Sequence, residues 1–370
     1  MFKVLGGLLL LGCLCCEASV RFGSSRSLQK VIIFFRHGDR SPINTYKTDP
    51  NVDYPWIGGY LALQPKGIER MYKLGHTLRN RYGWLIPKHG MYTWDTTTVL
   101  SSASERCILS AQSLLASFYE PPAGAINMTI AWQPVPVTVL DRSQDTILGQ
   151  RRVCPKLDAV REKLLLDPPP ESRLWLKDGF ELKDFVSQRT GSEIDSMRDL
   201  FEICDNLEVV EYFGLTLPDW AVEVFPNRTN EFARGYQLTF SATDDLKRIR
   251  GGAILNELLG KMKSKHNQRL LFYSTHDVAM TNLFNTMGIQ SLLEERPAFG
   301  AAVIFELYNS LGSDMEVRML HYRNPDTSSP TPIDIPNCGK PCSLTMFELS
   351  IKDMLLDDYD RACSLDISDE

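Results

Sequence analysis

The stretch VIIFFRHGDRSP at positions 31–42 constrains this chain more than any other. The consecutive apolar residues Val31–Phe35, β-branched and aromatic and bounded by Gly and Pro, read as a buried strand. In open α/β sheets, ligands bind where such strands end. Arg36, His37, Gly38, Asp39 and Arg40 therefore leave the sheet at the place where a site is built.

The residue types in that turn suit a phosphoryl group. Planar guanidinium forks bind its oxygens bidentately, and an imidazole nitrogen can attack phosphorus. Gly38 lets the backbone come close. The ordinary alternative is two arginines paired with surface carboxylates beside an unremarked strand-end histidine. RHGDRSP placed directly after a strand is longer and more specific than a lone Arg-His-Gly, and favours the chemical reading.

Further strand ends carry polar clusters. Thr96–Leu100 form a β-branched strand, followed by SSASER and by CILSAQSLLASFY, a helix whose Ile108, Leu114, Leu115 and Phe118 face a core. Arg106 thus sits at a second strand-to-helix turn. RLLFYS at 269–274 is another strand, and Thr275, His276 and Asp277 leave it before a helix that stops at Gly288. A carboxylate such as Asp277 also suits a helix start, and the two roles are compatible.

The remaining pattern gives the organisation. Met71, Leu74, Leu78 and Tyr82 predict an amphipathic helix over 65–82, Val135–Leu140 another strand, and Val303–Tyr308 with Met315–Tyr322 an antiparallel pair. A helix is expected over 244–265 and a last one near 345–355. From Asp141 the texture changes to charged helical segments broken by DPPP at 167–170. The expected architecture is an α/β domain of residues 20–140 and 246–370, interrupted by a helical insertion or cap over 141–245. His76 and His89 read as solvated or turn residues, and His321 follows strand alternation.

Composition bounds the partners. The chain has 370 residues, 43% hydrophobic and 23% charged, an ordinary globular balance. Its net charge of -6 and pI near 5.6 give no electrostatic reason to expect a nucleic acid or an anionic membrane. Lys3, the apolar stretch Val4–Cys16 and the small residues Ala18 and Ser19 follow the pattern of a cleavable secretory signal over 1–19. That stretch is short for a bilayer span, and no other window is long and apolar enough. The mature chain is expected to carry no membrane anchor and to be secreted, with the lysosomal lumen as the alternative. Removal of the signal leaves Cys107, Cys154, Cys204, Cys338, Cys342 and Cys363, an even set that suggests disulfides in an exported chain. Sequons at Asn127 and Asn227 fit the same compartment.

Taken together, the strand ends supply a phosphomonoesterase kit. His37 is the candidate nucleophile, splitting hydrolysis into successive displacements through a phosphohistidine. Arg36, Arg40, Arg106 and His276 are candidates for holding the phosphoryl oxygens. Asp277 is the candidate proton donor to the departing alkoxide. Clustered guanidinium charge lowers the His37 pKa and keeps the imidazole a base in acid, whereas Asp277 must carry a proton. Activity is therefore expected to decline above neutrality. The scheme needs no metal or cofactor, and HExxH, EF-hand, Walker A and GxSxG patterns are absent from the sequence.

These motifs resemble those of the histidine acid phosphatases of the lysosomal and prostatic type, within the phosphoglycerate mutase-like superfamily. The resemblance spans nearly the whole mature chain. RHGDRSP matches the first family motif, SerGluArg at 104–106 lines up with an Asp-x-Asp-Arg whose acidic residues are altered here, and HisAsp at 276–277 matches the last. The resemblance implies His37 as nucleophile, Arg36, Arg40, Arg106 and His276 as phosphate contacts, and Asp277 as proton donor. It also implies a central mixed, mainly parallel sheet flanked by helices, with a smaller inserted helical domain, and a possible homodimer. Disulfides Cys154–Cys363 and Cys338–Cys342 resemble those of the family. The family partner of Cys204, sought around 299–303, is missing and Cys107 is extra, which leaves a bond between Cys107 and Cys204 or free thiols. The reading that follows is an acid phosphatase acting on phosphate monoesters. Its alternatives are a phosphotransfer mutase, a phytase-like inositol polyphosphate phosphatase, and a secreted binding protein that keeps the fold without catalysis.

Overall fold

The computed structural model describes residues 27–87, 90–122, 132–168, 170–309, 314–324 and 329–365. The expected signal segment, His89 and Asn127 lie outside the described residues. In chain order the elements are β1 (Leu28–Arg36), α1 (Pro65–Tyr82), β2 (Thr97–Ser101), α2 (Glu105–Phe118), β3 (Thr138–Val139), α3 (Pro155–Leu166), α4 (Pro170–Thr190), α5 (Met197–Tyr212), α6 (Asn227–Leu238), α7 (Asp244–Lys247), α8 (Ala253–Lys263), β4 (Leu270–Thr275), α9 (Asp277–Thr286), β5 (Ala302–Asn309), β6 (Met315–Tyr322), β7 (Thr331–Ile333), α10 (Leu344–Ile351) and α11 (Tyr359–Cys363).

The strands form one mixed sheet in the order β3-β2-β4-β1-β5-β6-β7. Pairing is parallel from β3 to β1 and antiparallel from β1 to β7. The apolar run of β1 is continuous because both faces of the sheet are covered. Val31, Ile33 and Phe35 join the cluster under α1 and α2, with Met71, Leu74, Leu78, Leu114 and Phe118. Ile32 and Phe34 join the cluster under α8 and α9, with Leu255, Leu258, Met280 and Phe284. The strand expected over 135–140 shrinks to Thr138–Val139, both exposed: it is an edge strand that pairs only with the end of β2. The helix expected over 244–265 is α7 followed by a wider π turn at Arg248–Gly252 and then α8.

Helices α4, α5 and α6 bury a core of their own, including Leu182, Val186, Leu200, Ile203 and Phe232, which also takes in Tyr46 from the loop after β1. The segment before α3 packs on the sheet instead: Leu148 is buried with the β1 and β4 side chains, and its carbonyl accepts from Thr275 Oγ1 at 2.7 Å. Cys154–Cys363 ties the start of α3 to α11, and Cys338–Cys342 closes the loop before α10. Cys107 and Cys204 are free and buried, which resolves the open pairing in favour of two thiols.

Candidate active site

Strand register brings the predicted residues together. Arg36 on β1 pairs with Thr275 on β4, and Ser101 on β2 pairs with Ser274. The ladder continues past the strands: His37 N donates to Thr275 O at 3.1 Å, and Ser102 N to Ser274 O at 3.0 Å. His37, Ser102 and His276 therefore emerge side by side at the carboxyl edge of the parallel half. The loop after His37 lies tight on α1, where a Cβ on Gly38 would come within 2.5 Å of the Gly67 carbonyl oxygen. Only glycine fits that approach.

His37 is buried, and its Nδ1 lies 2.9 Å from the Gly38 carbonyl. A carbonyl can only accept, so Nδ1 carries the proton and Nε2 keeps its lone pair. Burial, and then the charges of Arg106 and Arg36, hold the His37 pKa well below the usual imidazole range. The ring is thus a neutral base surrounded by cations. Its neighbours are the His276 ring, edge-on at 5.5 Å, and Phe299 at 5.8 Å.

The tautomer of His276 is fixed in the same way. Arg106 Nη2, which can only donate, lies 3.3 Å from Nδ1, so Nε2 carries the proton and donates to Ser102 Oγ at 2.9 Å. Both ring nitrogens of His276 thus have partners in the protein, Nδ1 with Arg106 and Nε2 with Ser102. Burial and Arg106 keep its pKa low as well. The Cys107 thiol lies 3.6 Å from His276 Nε2, and burial pushes its pKa up to about 12, so it packs as a neutral group.

Asp277 opens α9, with His276 as the N-cap. Its Oδ1 accepts from Val278 N at 2.9 Å, while Oδ2 accepts from Gln237 Nε2 at 2.9 Å and pairs with Arg36 Nη2 at 3.1 Å. Burial alone would raise its pKa, but Arg36, then Gln237 and Arg40, hold it below the usual carboxylate range. Arg36 also donates to the Pro297 carbonyl at 2.6 Å and stacks 4.2 Å from the Phe299 ring centroid. Arg40 is gripped bidentately by Asp205 on α5, at 2.9 and 2.7 Å. Both arginines of the first motif therefore do pair with carboxylates, but with buried ones that fix their geometry. The Nε atoms of Arg36, Arg40 and Arg106 are buried with no hydrogen-bond partner in the protein.

The residues that complete the site were not singled out in the sequence: Asp205, Gln237, Ser102, Phe299 and Arg296, whose Nη1 lies 4.0 Å from Asp277 Oδ2. Asp205 is 1% exposed although it is charged and lies next to the apolar face of α5, the one local sign that it had a buried partner. No group of His, Cys, Asp and Glu among the described residues could hold a metal ion. A cavity of about 500 Å³, lined by Phe284, Leu292, Arg296, His321 and Arg323, shares Arg296 with the site and includes neither His37 nor Asp277.

A neutral imidazole ringed by arginines, with a carboxylate at the neighbouring strand end, is an arrangement suited to phosphoryl transfer. Comparison with known proteins agrees. The model of the histidine phosphatase superfamily (branch 2) matches residues 27–322, and the chain belongs to that superfamily. It is 30% identical to prostatic acid phosphatase of Mus musculus, over 96% of this chain and 93% of the relative. It is 27% identical to lysosomal acid phosphatase of Homo sapiens, over 92% of this chain and 81% of the relative. A solved structure of Hafnia alvei phytase in complex with myo-inositol hexakis sulphate shares the fold, with a TM-score of 0.66 at 16% identity, covering 92% of this chain and 99% of that one.

Proposed function

We propose that the chain hydrolyses phosphate monoesters through a phosphohistidine on His37, with Asp277 as the proton donor. The protein is an acid phosphatase, as its superfamily and its prostatic and lysosomal relatives attest. The observation that carries the mechanism is the hydrogen bond from His37 Nδ1 to the Gly38 carbonyl, which leaves Nε2 unprotonated among Arg36, Arg40 and Arg106.

In the first displacement Nε2 attacks phosphorus and the bond to the ester oxygen breaks. The Asp277 carboxyl passes its proton to that oxygen, so the alcohol leaves neutral. In the second, water attacks phosphorus, Asp277 takes a proton from it, and the N–P bond breaks to release inorganic phosphate and His37. The arginines hold the equatorial oxygens throughout. Arg36 pairs with Asp277 at 3.1 Å; a phosphate dianion that recruits Arg36 weakens its hold on the carboxylate and lets Asp277 take up a proton. Acid favours this state, so the rate falls as pH rises.

The signal pattern over 1–19 and the relatives' prostatic and lysosomal names support secretion, with the lysosomal lumen as the alternative. No helix among the described residues is long and apolar enough to cross a membrane. Asn227 is exposed at the start of α6 and open to glycosylation.

The test is phosphate release at mildly acidic pH from an aryl and an alkyl phosphate. His37→Ala is expected to abolish both rates. Asp277→Asn is expected to spare the aryl ester, whose leaving group needs no proton, and to cripple the alkyl ester. Wild-type rates in His37→Ala, or equal losses on both esters in Asp277→Asn, would remove the respective assignment.

A further inference from the structure

Helix α5 reaches the site twice. Asp205 grips Arg40, and one turn on, Glu208 forms an ion pair with Arg296. Positions three apart lie on one helix face, so a single face of α5 presents both carboxylates. Arg296 comes from the loop before β5, and its side chain is only 7% exposed. Its Nη2 faces Glu208. Both Nη atoms are buried without a hydrogen-bond partner, and Nη1 lies 4.0 Å from Asp277 Oδ2, too far for a hydrogen bond but close enough for Coulombic attraction.

Resting on the reading of Asp277 as the acid, we propose that Arg296 and Glu208 are positioning residues for its proton: Glu208 draws the guanidinium off Asp277, so the carboxyl can protonate within the working range. The other groups facing Asp277 are accounted for. Arg36 comes from β1, Arg40 from the loop after it, and Arg106 from α2. Gln237 from α6 is neutral, with its amide oriented by Thr281 Oγ1, which lies 3.4 Å from Gln237 Oε1. His276, next in the chain, is kept neutral by burial and Arg106. Substrate recruits Arg36, Arg40 and Arg106 to its own charge. Arg296, lying beside the acid, remains as a cation offset only by protein carboxylates, Asp205 and Glu208, both presented by α5. At 37% exposure the Glu208 side chain is half in water, so this balance is adjustable rather than locked.

The account makes opposite forecasts for the two members of the pair. In Glu208→Gln the guanidinium loses one of its two counter-ions, more of its field falls on Asp277, and the descending limb of kcat against pH for an alkyl phosphate moves to lower pH. In Arg296→Met the cation is gone and the limb moves to higher pH. Each shift should be about one unit, the low end of what a neighbouring guanidinium does to a carboxylate. Arg296→Lys keeps the charge and should return the limb to within a few tenths of wild type. Urea midpoints of all variants separate loss of fold from a moved limb, and an aryl phosphate, which needs the acid least, should show much smaller shifts.

Limbs that stay in place, or move the same way in both variants, overturn the inference if Asp277→Asn still selectively loses the alkyl ester. If Asp277→Asn instead treats both esters alike, the assignment of the acid itself has failed and the inference falls with it.

Discussion

His321 offers a direct measurement of what the buried histidines cost in acid. It sits on β6, edge-on to Phe284 at 5.9 Å, with a buried Nε2 that has no hydrogen-bond partner. Burial, followed by the nearby Arg323 charge, lowers its pKa to about 4. An unfolded histidine titrates near 6.5, so between these values the unfolded chain binds a proton that the folded chain refuses. Stability therefore falls as pH falls through that window. From pH 7 to pH 5 about 1.5 units of it are crossed, at about 1.4 kcal/mol per unit, so this one side chain should cost about 2 kcal/mol. His321→Phe keeps a planar ring against Phe284 and removes the titration. Urea unfolding at both pH values, analysed with a common m-value, should show the difference between pH 7 and pH 5 shrinking by about 2 kcal/mol in the variant. His37 and His276 act with the same sign, so a residual slope remains. An unchanged difference between the two pH values would refute the reasoning, because it would mean that the folded protein accommodates a proton at His321.

Other predictions test how the site is held. Asp205→Asn leaves Arg40 buried without its counter-ion, and removing one partner of such a pair costs about 3–5 kcal/mol; a urea midpoint equal to wild type would show that the pair bears no load, and KM for phosphate esters should rise as Arg40 loses its orientation. Gly67→Ala places a methyl group 2.3 Å from the Asp39 carbonyl oxygen. It should lower kcat by displacing the turn that carries His37, and unaltered kinetics would argue against the close packing of this loop on α1. Gln237→Leu removes a donor to Asp277 while keeping the approximate volume. It should move the descending limb of the pH profile to higher pH, and a shift the other way would contradict the assigned direction of that hydrogen bond.

Much of the site was legible because its chemistry sits at strand ends. A short apolar run rich in β-branched and aromatic residues and bounded by Gly and Pro reads as a covered strand, and a polar residue straight after it lies at the sheet edge. That logic placed Arg36, His37, His276 and Asp277 from local pattern, and Arg106 only when read together with the first motif. The parallel register, Arg36 beside Thr275 and Ser101 beside Ser274, then aligns those ends in one row. Asp205 and Gln237 were not legible for the opposite reason. Each meets its partner across a long stretch of chain, 165 residues from Asp205 to Arg40 and 40 from Gln237 to Asp277, and no periodicity encodes which polar side chain a helix of the insertion will present to the sheet. The strand over 135–140 failed on context: its β-branched residues fit a pleat, but only two of them find a neighbouring strand to pair with. Arg296 was invisible because the loop between α9 and β5 has no pattern of its own, and its meaning comes wholly from Glu208 and Asp277.

The phosphorylated intermediate is the most direct test of the central claim. Enzyme mixed with a phosphate monoester at acidic pH, quenched within milliseconds into alkali and digested for mass spectrometry, should carry the phosphoryl group on the peptide containing His37, at the imidazole Nε2. A phosphoryl group on any other side chain, or a His37→Ala variant that turns over like the wild type, would contradict it.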